Sequence, residues 1–234
     1  MARIARVVVP GYWHHITQRG NHQQAVFYSD ADREFYLRLL KQYGTRYDFQ
    51  LTGYCLMGNH VHLLGIPHDA RSLARAVGRT HNDYARWLNF RRGANGHVWQ
   101  NRFYSCTLDE THRWLALRYV EWNPVQAGLV IQAESWRWSS AAAHTTGHDA
   151  RTLLDWADWA RRWDPDSWTA ALHEGVYGAA WADRLREATR TGRPAGDGEF
   201  VKRVEEMLSR SLQPQKRGPK AHAGATSGQM NLVV

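Results

Sequence analysis

The 234 residues suffice for one sizeable domain plus an extension, or for two small domains, and 43% hydrophobic with 12% aromatic residues marks a packed globular chain, not a disordered one. With 30 Lys and Arg against 22 Asp and Glu, the net charge of +8 and pI near 9.8 favour polyanionic partners, nucleic acid first and an anionic membrane surface second. No run approaches the ~18 apolar residues of a membrane span, and the apolar stretch of "MARIARVVVPGYW" is too short for a secretory signal, so a cytoplasmic location is expected.

In chain order, "YWHHITQRG" (12–20) reads as a β-branched and aromatic strand ending at Gly20, and "GNHQQAVFYS" (20–29) as a polar loop. Asp30 or Asp32 is placed to cap a helix carrying Phe35, Leu39 and Leu40 at helical spacing, with Gly44 expected to stop it. "YDFQLTGYCLM" (47–57) is a second strand, Gly58 and Asn59 a tight turn, and "HVHLLGI" (60–66) a third strand closed by Pro67. Leu73, Val77, Tyr84 and Leu88 predict a helix over 71–89, followed by the basic loop "RRGANG" (91–96). "HVWQNRFYSCTL" (97–108) reads as a fourth strand, and "DETHRWLALRYVEW" (109–122) as a helix with an acidic first turn, ended by Pro124. The order β-α-β-β-α-β-α predicts an α+β fold, an antiparallel sheet with helices packed on one face, of the split βαβ type.

Composition shifts near "AAAHTTGHDA" (141–150), and the chain beyond it has a helical pattern with several tryptophans and an Asp164–Pro165 cap and first-turn pair. "RTGRPAGDG" (190–198) reads as a linker and "EFVKRVEEMLSR" (199–210) as an amphipathic helix. After Glu206 no acid appears, whereas Arg210, Lys216, Arg217 and Lys220 do, which predicts a flexible basic tail able to add phosphate contacts. The expected division is a domain at 1–145, a helical extension at 146–211 and the tail at 212–234. Cys55 and Cys106 lie in strand-like runs without a CxxC and are expected as buried free thiols. Of the 12 tryptophans, some are expected in the core and others as flat surfaces for stacking bases.

His60 and His62 stand two apart in a strand-like run, so they share one face while Val61 and Leu63 take the other. The run holds no Asp or Glu to partner two imidazoles locally. A metal ion is a common partner for converging neutral imidazoles; two core histidines are the alternative. Tyr119 and Asn123, at i and i+4, share a helix face; the plainer reading packs Tyr119 into the core and uses Asn123 as a cap before Pro124. His14 and His15 are adjacent and face opposite sides, so at most one can look into a site, and core packing is the expected role for either.

With "YVEWNPVQAGLV", the His60-Val61-His62 triplet resembles the HUH motif of the single-tyrosine transposases, specifically the REP-associated tyrosine transposases of the IS200-like group. The resemblance runs from "PGYWHHITQRGNHQQAVFYSDADRE" through "CLMGNHVHLL" and "VWQNRFYS" to "NPVQAGLV", and resumes at "ATRTGRPAGDGEFVKRVEEML". Gly58 departs from a usual proline, Gln100 from a frequent glutamate and Gln126 from a common arginine; none touches the histidine pair, Tyr119 or Asn123.

The resemblance implies a ferredoxin-like fold, a divalent metal (Mg²⁺ or Mn²⁺) on His60 and His62 with Asn123 as a third polar ligand, and Tyr119 as nucleophile. The implied activity is site-specific nicking and strand transfer on hairpin DNA through a 5′-phosphotyrosine. Single-stranded or hairpin DNA is the implied partner; no membrane and no nucleotide cofactor are expected, because the bond energy is conserved in the covalent intermediate. Gln18, Arg19, Asn21, Arg91, Arg92 and Arg102 are candidates for DNA contact, with a solvated surface charge as the alternative for each arginine. Two other functions stay open: a hairpin-DNA-binding protein without strand transfer, and a hydrolytic metalloenzyme using activated water. Monomer and dimer are equally open.

Overall fold

The computed structural model describes residues 5–175 and 179–212. Lys216, Arg217 and Lys220 of the expected basic tail lie outside the described residues. Arg210 lies within them and donates to the Ala5 carbonyl at 3.0 Å.

Among the described residues, β1 (His14–Arg19), β2 (Phe49–Leu56), β3 (His60–Pro67) and β4 (Tyr104–Thr107) form one sheet in the order β2-β3-β1-β4, every neighbouring pair antiparallel. With α1 (Asp30–Arg46) between β1 and β2, and α2 (Ser72–Arg92) between β3 and β4, this is the ferredoxin-like α+β arrangement. Alternation assigns the faces. Ile16, Leu51, Tyr54, Leu56, Val61 and Leu63 are buried against Tyr36, Leu40, Val77 and Tyr84 of α1 and α2.

The opposite face is covered too. Cys55, Leu64, Ile66 and Cys106 pack under α3 (Glu110–Gln126), and the same cluster continues to Trp159 of α5 (Ala157–Arg162), Trp168 of α6 (Pro165–His173) and Leu185 of α7 (Ala179–Thr191). The helices therefore flank the sheet on both sides, because its second face is as apolar over β2 and β3 as its first. All 12 tryptophans belong to these two clusters, six of them buried and six partly exposed at the edges. Cys55 and Cys106 are buried free thiols.

Local chemistry adjusts several boundaries. Ser29 caps α1, and Asp32 completes a capping box by accepting from the Ser29 amide at 2.9 Å. Gly44 does not end that helix, which runs to Arg46; a Cβ there would sit 3.0 Å from the Phe49 carbonyl, so the glycine lets β2 return closely. Only Tyr104–Thr107 of the expected fourth strand is a strand. Ahead of it, the Trp99 indole donates to the His81 carbonyl (2.9 Å) and the Asn21 amide to the Val98 carbonyl (2.8 Å), which holds 98–100 as a loop against the end of β1. Pro124 lies inside α3, whose last turn continues to Gln126, since its fixed φ is helical and the cost is a single lost donor. The 190–198 segment is bonded to the sheet edge: the Ala195 amide donates to Thr107 (2.8 Å), and its carbonyl accepts from Asp109 (3.1 Å). It leads from α7 into α8 (Gly198–Leu208), which Asp197 caps.

Two features hold α3. At Gly53, in β2, a Cβ would overlap Leu117 Cδ1, so the missing side chain lets the helix lie directly on the sheet. One turn on from Leu117 and on the same face, Glu121, fully buried, accepts from Ser140, from His144 Nδ1 (2.5 Å) and from Trp168 Nε1 (2.8 Å). Ser140 precedes α4 (Ala141–Thr146), so one carboxylate ties three elements together. Removing it strands the His144 and Trp168 donors at roughly 1–3 kcal/mol each, while the Ser140 hydroxyl keeps the Tyr54 carbonyl at 3.3 Å. Glu121→Ala is therefore expected to lower unfolding free energy by about 3 kcal/mol, read from urea denaturation; a loss below about 1 kcal/mol would show that the network relaxes to other acceptors.

Candidate active site

The second sheet face opens near β1, β3 and the N-terminal end of β4 into a cleft of about 450 Å³. Register explains its floor. Thr17 pairs with His62 and Arg19 with His60, so these four and His15 fall on the same face. α3 lays Tyr119 and Asn123 across them, one turn apart, and α7 adds Arg186, Thr189 and Arg190. The Tyr119 ring meets the His62 ring edge-on at 5.7 Å and the His15 ring at 6.2 Å. His60 and His62 are 5.1 Å apart, centroid to centroid.

Hydrogen bonds fix which ring nitrogens are free. Asn59 Nδ2 donates to the Gln23 carbonyl (3.1 Å), so its Oδ1 faces His60 Nδ1 (2.7 Å) and accepts that nitrogen's proton. His60 Nε2 keeps its lone pair. A longer chain does the same for His62. The Thr189 hydroxyl donates to the Leu185 carbonyl (2.8 Å) and so accepts from His15 Nδ1 (2.7 Å). His15 Nε2 then accepts from His62 Nδ1 (3.0 Å), which leaves the His62 Nε2 lone pair free. Asn123 Nδ2 donates to the Tyr119 carbonyl (3.0 Å), leaving its amide oxygen as an acceptor.

Electrostatics keep these rings neutral. Burial, and then the Arg19 charge, pulls His60 down to about 4. Burial alone takes His15 to about 3. Burial first, then His60, His15 and Arg186, holds His62 well below its ordinary value. The cleft is lined by Arg19, Arg186 and Arg190 and, among the described residues, by no carboxylate. Arg186 and Arg190 each pair with an acid on their own helix, Asp183 and Glu187.

Two imidazole lone pairs and one amide oxygen suit a divalent cation that brings further oxygen ligands with it. Among the described residues no group of three or more His, Cys, Asp or Glu gathers to hold a metal. The protein's donors here would all be neutral, so a bound cation would keep its charge for an anionic ligand.

Of the residues singled out in the sequence, His60, His62, Tyr119, Asn123, Gln18 and Arg19 line this cleft. Gln18 is buried and its amide holds the Asn101 carbonyl at 2.5 Å. Asn21, Arg91, Arg92 and Arg102 do not line it. Arg91 lies over the Trp87 ring (4.9 Å) and pairs with Asp32 (3.5 Å), Arg92 lies over Tyr28 (3.6 Å), and Arg102 borders a smaller neighbouring cavity with Arg190.

His15 is the main revision. It is buried, yet it belongs to the site, while His14 on the other face is held by the backbone of Tyr12 and Val9. Strand parity already paired His15 with Arg19 as same-face residues. Arg186, Thr189 and Arg190 left no comparable local signal beyond their spacing on one helix.

A histidine pair on a ferredoxin-like sheet, faced by a tyrosine from α3, defines a tyrosine-bearing class of site. Residues 8–123 match the family described as "Transposase IS200 like". Through that segment the chain belongs to the IS200-like transposases, and its role is that of a transposase. Among solved structures it is similar to a REP-associated tyrosine transposase bound to a REP hairpin, at 17% identity and TM-score 0.50, covering 66% of this chain and 89% of the other. It also aligns with a protein of Deinococcus radiodurans R1 proposed to be a transposase, at 18% identity and TM-score 0.37, covering 51% and 96%. No curated protein matches the chain. No helix among the described residues is long and apolar enough to cross a membrane.

The hydrogen-bond chain has a direct spectroscopic consequence. In ¹⁵N-labelled protein at neutral pH, His62 is expected as a single neutral tautomer protonated on Nδ1, and Thr189→Val should mix in the other form. A wild-type His62 protonated on Nε2 would contradict the relay.

Proposed function

We propose that the chain is a metal-dependent, site-specific nickase and strand transferase of single-stranded or hairpin DNA that works through a 5′-phosphotyrosine on Tyr119. The observation that carries this reading is the placement of the Tyr119 side chain against His62, beside His60, in a cleft whose charged lining groups are all arginines. The shared fold with a transposase solved on a REP hairpin supports hairpin DNA as the ligand.

In this reading His60 Nε2, His62 Nε2 and the Asn123 oxygen would hold a divalent ion, Mg²⁺ or Mn²⁺. Such an ion would neutralise the non-bridging oxygens of a phosphodiester and orient it. The chain's own groups do the rest. Arg19 and Arg190 meet flanking phosphates at the cleft wall. Tyr119 forms a bond from its oxygen to phosphorus, the bond from phosphorus to the 3′ oxygen breaks, and the phenol proton ends on the released 3′-OH. A later 3′-OH reverses the exchange and joins strands, which needs no nucleotide cofactor. One tyrosine cuts one strand at a time. We place the protein in the cytoplasm, with the segment beyond residue 212 adding phosphate contacts.

The test is a denaturing gel of protein with an end-labelled DNA hairpin and Mn²⁺. A covalent protein–DNA band is expected from the wild type, and Tyr119→Phe should lower its formation by at least ~100-fold with hairpin binding retained, because only the attacking oxygen is lost. Binding without any adduct would favour the alternative of a hairpin-binding protein, and nicking that survives Tyr119→Phe would favour activated water. His60→Ala and His62→Ala should each abolish metal-dependent adduct formation, and Asn123→Ala should weaken it less, since an amide oxygen is a ligand that water can replace. Unchanged Mn²⁺ titration curves in both histidine variants would make the pair structural.

A further inference from the structure

We infer that Arg186, in the helical extension beyond the matched family segment, is a further catalytic residue of the strand-transfer reaction. The inference rests on the reading of Tyr119 as nucleophile. Its basis is a contact to the reacting atom itself: Arg186 Nε donates to the Tyr119 hydroxyl at 3.1 Å. Nothing in residues 8–123 supplies that contact, and no carboxylate lines the cleft among the described residues.

The guanidinium is held by its own helix, which also packs on the ring it serves. Its Nη1 bonds Asp183 Oδ1 at 2.7 Å, one turn earlier on α7, which fixes the plane of the fork. Trp181, on the same helix and 8% exposed, meets the Tyr119 ring at 6.2 Å. α7 therefore grips the nucleophile's ring with one side chain and its oxygen with another. The helix is anchored in turn by Leu185, 1% exposed, and by the Thr189 contact to His15.

The charge on Arg186 suits one role and excludes another. A guanidinium does not give up its proton in a protein, so Arg186 is no general base. It is a fixed donor aimed at an oxygen that gains negative charge on the way to phosphorus. In the forward step that oxygen is the attacking atom. In the reverse step, when a 3′-OH attacks the phosphotyrosine, the same oxygen is the leaving group, and the tyrosine–phosphorus bond breaks as the new 3′ bond forms. One arginine then serves cleavage and rejoining alike. Half-exposed and on the rim, its side chain can be exchanged without opening the core.

The experiment is single-turnover adduct formation at saturating hairpin DNA, with rejoining followed from isolated adduct, in wild type, Arg186→Gln, Arg186→Lys and Asp183→Asn. Arg186→Gln is expected to slow both directions by about 10- to 100-fold, the scale of losing one oxyanion donor, with hairpin affinity within about threefold of wild type. Arg186→Lys should recover part of the rate, since charge is kept and the fork lost. Asp183→Asn should slow both directions less than Arg186→Gln, because the Asn amide oxygen still accepts from Nη1 and Nε still reaches Tyr119. A wild-type adduct rate in Arg186→Gln overturns the inference. So does a loss confined to hairpin affinity, which would make Arg186 a phosphate contact, or a rejoining rate that does not fall. Absence of any adduct from the wild type would instead remove the reading of Tyr119 on which the inference stands.

Discussion

Leu117 occupies the space where residue 53 would carry a Cβ, and the height of α3 above the sheet follows from that contact. A helix pushed outward by even a methyl group would take Tyr119 with it, away from the His62 ring. Height alone does not set which side of the helix faces the cleft. Two residues advance about 200° around a helix, so Tyr119 and Glu121 project to nearly opposite sides. Three donors drawn onto Glu121, which shares the Leu117 face above β2, fix the helix's rotation and leave Tyr119 on the opposite flank, turned to the His62 ring. Depth and rotation of the nucleophile are thus set by two neighbouring contacts, one steric and one polar.

The cleft's electrostatics complement that placement. Three buried or half-buried imidazoles stay neutral because burial outweighs every other influence on them. Their polarity is spent inward, on one another and on Asn59 and Thr189, so the outward-facing nitrogens are lone pairs. Arg186 and Arg190 at the wall are paired to Asp183 and Glu187 on their own helix, and with Arg19 beside them the described lining still carries positive charge for an incoming polyanion to balance. The chain's overall charge of +8 acts in the same sense at longer range.

The α+β order and the ferredoxin-like core were legible because they rest on local periodicity and on turns such as Gly58–Asn59, where the code is short-range. So was the shared face of His60 and His62, which is strand geometry and nothing more. Boundaries were less legible where a residue's usual habit met a tertiary demand. Gly44 stays helical because β2 passes close to it, and residues 97–103 turn away from strand because Trp99 finds His81. His15 was hidden for a similar reason: its partners are Thr189 and His62, distant in sequence, and a buried histidine in a strand looks the same from sequence whether it supports a core or a site. The second helical layer was read as a separate extension because amphipathic helices do not announce which sheet face they will cover.

Thr189 carries a consequence for how such a chain can change over generations. Its hydroxyl reaches His15 at 2.7 Å and so connects a helix near the C-terminus to a histidine in the first strand. Regions outside a family's matched segment are commonly treated as cargo, free to be lost, lengthened or traded between lineages. Here a recombination breakpoint placed after residue 123 would hand the recipient a histidine pair whose hydrogen-bond chain ends on nothing. The heritable unit of this site is therefore longer than the motif that identifies it, and substitutions in α7 and in β1 should be inherited as linked pairs.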